Sequence, residues 1–375
     1  MEKEINNSLH HSYPMNKGNG PFSYSQNSSV QRGASEIAQD IIREEITKKL
    51  HIQQLSSSSG ILQSFHVADF GCSTGPNTFL ATQTIVEALE MKFQSTEGTN
   101  PPEFQVFFND VVSNDFNHLF ASLPPERRYF AAGVPGSFYS RLFPKSSLHF
   151  AHSASSLSWL SRVPEEVTDK SSPAYNGEKI HYIGARKEVS EAYSAQCVRD
   201  VGTFLLARAQ ELAGGGLLAL VSPGLTDEIS ISRTSPGLNF QVFESCLIEM
   251  AKKGLISEEK VNSFNMPIYF PSLKELEAAV HENGQYFTTE RIEILVNPME
   301  ASISKASLEQ SSLHMRAVFE GMIIKYFGTD IANEFFNEYS RKVAECPLFF
   351  DPDIQQLKVL VLVLKRKMGA TLRKA

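Results

Sequence analysis

Cysteine is scarce in this chain, with four in 375 residues (Cys72, Cys197, Cys246 and Cys346) and no C-x-x-C pair among them. That spacing excludes a dense disulfide framework and gives no support to a zinc site; four reduced thiols in a cytoplasmic protein are the expectation. Long apolar runs are missing as well. The strongest near the C-terminus, Val359 to Leu364, is six residues long, whereas a bilayer span needs about 20, so it reads as a buried strand. The start, Met1-Glu2-Lys3-Glu4-Ile5-Asn6-Asn7, has neither a basic stretch nor an apolar one, and no secretory signal is expected. Positive charge is not in excess. Lys and Arg number 35 against 42 Asp and Glu, a net −7, so no global field draws the chain onto nucleic acid or an anionic membrane. No His/Asp/Glu cluster stands at ligand spacing. His10 and His11 are adjacent in a polar tail, and no metal is expected. The basic end, Lys365-Arg366-Lys367 with Arg373 and Lys374, reads as a solvated tail. Tryptophan occurs once, against 26 phenylalanines: enough rings to line a large apolar pocket, and one indole N–H worth locating.

What is present is an ordinary globular composition, 42% hydrophobic and 21% charged, in a chain of about 42 kDa. Residues 1–14 are polar and read as a loose tail. A helix is expected after Gly33-Ala34-Ser35, with Ile37, Ile41, Ile42, Ile46 and Leu50 at helical spacing. It should end before the flexible run Ser56 to Gly60. Strand-like runs follow at Phe65 to Phe70, Phe104 to Phe108, Tyr129 to Val134, Leu148 to Ala151 and Leu217 to Val221. The last comes after a long helix whose Tyr193, Cys197, Val201, Phe204, Leu205 and Leu212 share a face, with Gly214-Gly215-Gly216 as its expected cap. Apolar strands alternating with helices predict an α/β fold, a parallel sheet covered on both faces. From about 225 to 345 helical segments dominate (Phe240 to Lys253, Ser272 to Glu282, Leu313 to Phe327), interrupted by one strand, Arg291 to Val296. The expected organisation is therefore a core over 15–224 and a mostly helical cap over 225–345, with the last core strand in 346–367 and a tail over 368–375.

Ligands in open parallel sheets bind beyond the carboxyl ends of the strands. Here the first strand runs through Asp69 into Gly71-Cys72-Ser73-Thr74-Gly75-Pro76-Asn77, and a later one ends at Asp110. Glycine lets the backbone approach a ligand, and a carboxylate after the second strand can accept two hydrogen bonds from ribose hydroxyls. The dinucleotide pattern G-x-G-x-x-G is absent because Ser73 takes the middle glycine. Pro76 also removes one helix N-terminal donor that would cradle a pyrophosphate. An adenosine ligand without phosphate fits better, and S-adenosylmethionine is the common one. Asp69 and Asp110 are 41 positions apart, about twice the usual ~20; the polar stretch Gln94 to Pro102 accounts for the excess as a loop insertion.

Several ordered segments resemble the plant SABATH carboxyl methyltransferases. They are Ser23-Tyr24-Ser25-Gln26-Asn27-Ser28-Ser29-Val30-Gln31-Arg32, Ala68 through Thr78, Phe108-Asn109-Asp110, Gly133 through Tyr139, and Trp159-Leu160-Ser161. Within the family the wording is closest to the loganic acid methyltransferase-like subgroup, through Phe130 to Gly136 and Ser232-Arg233-Thr234. The resemblance implies a Rossmann-like methyltransferase sheet, S-adenosyl-L-methionine as cofactor and a small carboxylic acid as partner; whether the protein forms a homodimer is left open by the sequence. It implies cofactor contacts, or the turn that holds the cofactor, at Tyr24, Ser28, Asp69, Phe70, Gly71, Cys72 and Asn77. Asp110 and Val111 match the ribose and adenine wall, Ser137 and Phe138 close over the adenine, and Ser153 matches a further contact. Gln31 and Trp159 match the pair that grips the acceptor carboxylate.

That pair makes chemical sense. A carboxylic acid of pKa about 4 to 5 is ionised at neutral pH, so methyl transfer to it needs no general base. What the protein supplies is in-line placement and exclusion of water. A neutral amide and an indole N–H can both donate to the carboxylate, without the ground-state stabilisation that Lys or Arg would add.

The pocket departs from the family at several positions. Ser155 stands where an aromatic is usual, and Ser158 where His or Met is; the family's early lysine falls on Asn16, with Lys17 displaced by one. Phe240 and Ile268 replace the subgroup's polar His and Gln, with Met315 and Val318 also expected to line the acceptor pocket. The expectation is a pocket with a more apolar mouth, unsuited to a glucosylated iridoid. Ser155 and Ser158 leave two other readings open: methylation of a heterocycle such as a xanthine, and a member that binds or converts another metabolite without methyl transfer.

Overall fold

The structure is a computed structural model that describes residues 13–55, 62–96, 100–177, 179–297, 305–351 and 353–370. The tail before residue 13, the Ser56–Gly60 run, His10, His11 and the last five residues lie outside them. Seven strands form one sheet: β1 (Ser64–Phe70), β2 (Glu103–Asp110), β3 (Phe130–Pro135), β4 (Leu148–Ala154), β5 (Leu212–Gly224), β6 (Phe287–Val296) and β7 (Lys358–Arg366). Their order is β3-β2-β1-β4-β5-β7-β6. Strands β1 to β5 pair in parallel, while β7 runs antiparallel to both β5 and β6. The longer helices are α1 (Ser29–Lys49), α2 (Pro76–Gln94), α3 (Lys187–Glu211), α4 (Ser235–Lys252), α5 (Leu273–Glu282), α6 (Lys305–Phe327) and α7 (Thr329–Glu345). This is the α/β methyltransferase fold.

The apolar run at the C-terminus shows why the sheet is covered twice. Val359, Val361 and Val363 enter a core on one face with Ile42 and Ile46 of α1 and Ile85 and Leu89 of α2. Leu360, Leu362 and Leu364 enter the other core with Phe204 and Leu205 of α3 and Phe243 of α4. All six are at most 3% exposed, and each such side chain stabilises the fold by about 1.5–3 kcal/mol through burial.

Four local expectations are corrected. Helix α1 begins at Ser29, not after Gly33; Gly33 and Ala34 are buried inside it, and Gln31 therefore stands on its first turn. Helices α4 and α6 begin earlier than Phe240 and Leu313, at Ser235 and Lys305. The strand read over 291–296 is the longer β6, paired along β7 at the edge of the main sheet rather than within the helical stretch. Gly214–Gly216 do not cap α3 but lie inside β5, which starts at Leu212 directly after the helix. The reason is steric. Gly215 has φ +86°, and a Cβ on Gly216 would sit 2.8 Å from the carbonyl oxygen of His149, so only glycine lets β5 bend alongside β4 where their register shifts.

Candidate active site

Three parallel strands deliver their ends to one place. After Phe70 the chain turns through Gly71 at φ +81°, where a Cβ would land 2.0 Å from the Ser156 hydroxyl oxygen, and through Ser73 at φ +52°. The N–H groups of Gly71 and Cys72 both donate to the carbonyl of Asn109 (2.9 Å each), and the Asn109 amide donates to the carbonyls of Val134 and Gly136. Asp110 completes the bracket. Its carboxylate accepts from the Ser73 N–H (2.7 Å) and the Val111 N–H (2.8 Å). Burial pushes its pKa up to about 6 against the pull of those two donors, with the Asp69 charge adding to the rise.

Above this turn lies a cavity of about 140 Å³ whose wall includes Tyr24, Gly71, Ser73, Asp110, Val111, Ser137 and Phe138. Six of the expected cofactor residues are therefore brought together there. The others stand behind the wall. Asp69 accepts from Thr78 and pairs with His152 Nδ1 at 2.7 Å. Ser153 donates to the Phe70 carbonyl (2.9 Å), and Asn77 donates to the Ser28 carbonyl and hydroxyl (3.0 Å each). Cys72 is buried next to Ser73, and the Phe70 ring lies under the Arg208 guanidinium at 4.0 Å.

A second cavity of about 160 Å³ adjoins the first, and Ser155 and Trp159 line both. Gln31, Ser158, Phe240, Ile268, Met315 and Val318, the other residues expected at the acceptor, all line this second space. Ser155 holds the partition in a left-handed conformation, φ +58°, a strained state for a residue with a Cβ. Trp159 is fixed by its backbone: it bridges to Ile268, accepts at its carbonyl from Tyr139 Oη (2.6 Å), and packs its ring near Phe319 (5.7 Å) and Tyr13 (6.3 Å). Its indole N–H has no hydrogen-bond partner among the described residues. Among the described residues, Lys358 is the one charged residue on the second cavity's wall, and no carboxylate lines it.

His314 is among the site residues that the sequence reading missed. His314 of α6 lines the second cavity. Its Nδ1 lies 2.8 Å from the Asn27 carbonyl, which can only accept, so Nδ1 carries the proton and Nε2 is left as an acceptor. Burial lowers the ring's pKa and keeps it neutral. Nε2 then takes one N–H of the Gln31 amide (3.3 Å), leaving the second N–H of that nitrogen for a ligand. Gln310, one turn earlier, donates to the Asn27 side chain; in a helix that also carries Ser311, Ser312, Arg316 and Glu320, no sequence signal marked His314.

The adenosine expected of the first cavity fits the residues present. Gly71 lets the turn pass close against Ser156 on the cavity wall, and the hydroxyl oxygen of Ser73, which lines the cavity, is buried without a partner in the protein. The family model described as SAM dependent carboxyl methyltransferase matches residues 10–367. The chain belongs to this family. It is 47% identical to loganic acid O-methyltransferase of Catharanthus roseus over 95% of this chain and 94% of that one. It is 39% identical to farnesoic acid carboxyl-O-methyltransferase of Arabidopsis thaliana over 89% and 93%. A solved structure, loganic acid methyltransferase with SAH, superposes with a TM-score of 0.88 at 46% identity, covering 95% of this chain and 99% of that one. This methyltransferase is thus a carboxyl methyltransferase that uses S-adenosylmethionine. Among its described residues no helix is long and apolar enough to cross a membrane.

Proposed function

We propose that the enzyme methylates the carboxylate of a small terpenoid, indole or aromatic acid where the two cavities meet. The observation that carries this reading is the shared wall. Ser155 and Trp159 face both spaces, so a carboxylate held from one side by Trp159 and Gln31 is presented to the other. S-adenosylmethionine supplies a methyl group on a sulfonium. The residues of this chain bind and aim. Asp110 accepts from the ribose hydroxyls, Phe138 and Val111 sandwich the base, and Tyr24 with the turn behind it, braced by Asp69, Ser28, Asn77 and Ser153, holds the amino-acid end. Trp159 and Gln31 donate to the acceptor carboxylate, and His314 fixes which end of the Gln31 amide faces it. The segment 225–345 acts as the cap, and its α4 and α6 close the acceptor space. No base is required, because the acid arrives ionised, and no carboxylate among the described residues of the acceptor wall repels it.

Acceptors named for relatives, loganic and farnesoic acid, bracket the class. Phe240 and Ile268 on the wall favour a member without a sugar. Three buried, unpaired thiols support a cytoplasmic location, and a homodimer, testable by sedimentation, belongs to the same reading. Incubation with methyl-labelled cofactor and a panel of terpenoid, indole and aromatic acids should give a labelled, base-hydrolysable ester. Cofactor binding with no ester from any acid would defeat the proposal.

The raised pKa of Asp110 sets a pH dependence. Ribose hydroxyls bind the ionised carboxylate and so pull its pKa down in the complex; binding then releases a proton at pH values below about 6. Calorimetry should show the cofactor's Kd flat above pH 7 and weakening by up to about tenfold per pH unit below 6. In Asp110→Asn the slope should vanish, with weaker binding throughout. An unchanged slope in that variant would remove Asp110 from the ribose.

A further inference from the structure

We propose that the acceptor carries, besides its carboxylate, a carbonyl or hydroxyl oxygen that Asn239 and Ser311 recognise; the inference rests on the acid reading above and narrows it. Asn239 of α4 lines the second cavity although only 5% of its surface is exposed. Its orientation is decided from behind. The hydroxyl of Tyr339 on α7, itself fully buried, donates to Asn239 Oδ1 at 2.6 Å. The amide's oxygen is thereby held on the Tyr339 side, and its Nδ2 turns toward Ser311 of α6, 3.4 Å away. Nδ2 has a second N–H, and the Ser311 hydroxyl, having accepted from Nδ2, has its own proton to give. Two donors are therefore offered to the cavity side by side, with Asn239 Oδ1 turned away toward Tyr339. Such a pair recognises an oxygen lone pair.

The position of this pair is set by the helix. Ser311 and His314 are three residues apart on α6 and share a face, about 5 Å along the axis. His314 orders Gln31, so the oxygen-reading pair stands roughly one helical turn from the carboxylate grip. Much of the remaining wall is apolar. Phe240 and Phe270 lie nearly parallel (19°, centroids 6.1 Å apart), with Ile268, Val318 and Leu357 also lining the space. A compact ring skeleton with a carboxylate at one edge and a single oxygen function about 5 Å away satisfies both polar ends. A pure hydrocarbon acid leaves the buried Asn239 amide and the half-buried Ser311 hydroxyl without a partner on the ligand, which is costly.

The test is a set of acid pairs with identical skeletons, one member bearing a ring hydroxyl or ketone and the other lacking it, assayed for methyl ester formation. The wild-type enzyme should favour the oxygenated member by roughly tenfold or more in kcat/KM. In Ser311→Ala and Asn239→Leu that ratio should fall toward one, chiefly through KM. Tyr339→Phe, which touches no ligand, should lower it too by freeing the Asn239 amide to rotate. Because the ratio is taken within each variant, a general loss of folded protein cancels, and the small Ser311→Ala change guards against misfolding of Asn239→Leu. Equal kcat/KM across all pairs in the wild type, or a ratio untouched by all three substitutions, would overturn this inference while leaving the acid reading intact. Ester from neither member of any pair, with cofactor bound, would overturn the acid reading itself.

Discussion

Trp159→Phe should fold, bind S-adenosylmethionine as the wild type does, and lose about two orders of magnitude in kcat/KM for the acid. An aromatic ring, though a smaller one, stays in place beside Phe319 and Tyr13, and the backbone bridge to Ile268 does not involve the side chain. What disappears is one neutral donor to an anionic oxygen. A hydrogen bond to a charged group is worth about 1.5–3 kcal/mol, and misplacing the attacking oxygen adds to that loss. Gln31→Leu should cost a comparable amount. The two differ in their dependence on His314. Substituting His314 by Leu should raise KM about tenfold in the wild type and add almost nothing in the Gln31→Leu background, because the imidazole acts through that amide. Full additivity of His314→Leu and Gln31→Leu would show that the imidazole has a separate role. A Trp159→Phe enzyme with undiminished kcat/KM would move the carboxylate elsewhere.

How much of this was legible in the sequence depends on chain distance. The turn Gly71 to Asn77 and the carboxylate of Asp110 could be read directly, since strand, glycine and helix start are contiguous and their chemistry is local. Apolar β7 was legible for the same reason. The triglycine was misread because its conformation depends on His149, which sits on the neighbouring strand 67 residues earlier. The partition between the cavities was not legible. It depends on the left-handed φ of Ser155 and on the bridge from Trp159 to Ile268, which no local pattern encodes. His314 and Asn239 were missed for a related reason: each looks like an ordinary polar residue on an amphipathic helix until Asn27 or Tyr339 decides which of its atoms is free. The departures at Ser155 and Ser158 were visible as letters, but only the structure shows that Ser155 faces both spaces and Ser158 one.

Arg208→Met should be the most destabilising single substitution near the site, at about 3–5 kcal/mol, and should weaken cofactor binding although Arg208 lines neither cavity. Arg208 and Glu211 are both completely buried on the last turn of α3 and meet at 2.6 Å. The guanidinium also donates to the carbonyls of Phe138 (2.8 Å) and Ser140 (2.9 Å) and lies over the rings of Phe70 and Phe204. Glu211 in turn accepts from the N–H groups of Leu142 and Phe143. The pair thus pins both ends of the loop that carries Phe138, the ring expected against the adenine. Methionine matches the apolar stem but leaves two carbonyls without donors and a buried carboxylate without its counter-ion. Replacing Glu211 as well removes the stranded charge, so Arg208→Met/Glu211→Leu should regain part of the loss. It should not regain all of it, because the N–H groups of Leu142 and Phe143 then lack acceptors. Thermal unfolding should therefore rank wild type above the double variant and the double variant above Arg208→Met. Calorimetry should show S-adenosylmethionine binding weakened in both, since the loop loses its anchor either way. A double variant as unstable as Arg208→Met would mean that the lost loop hydrogen bonds, not the unpaired charge, dominate the cost.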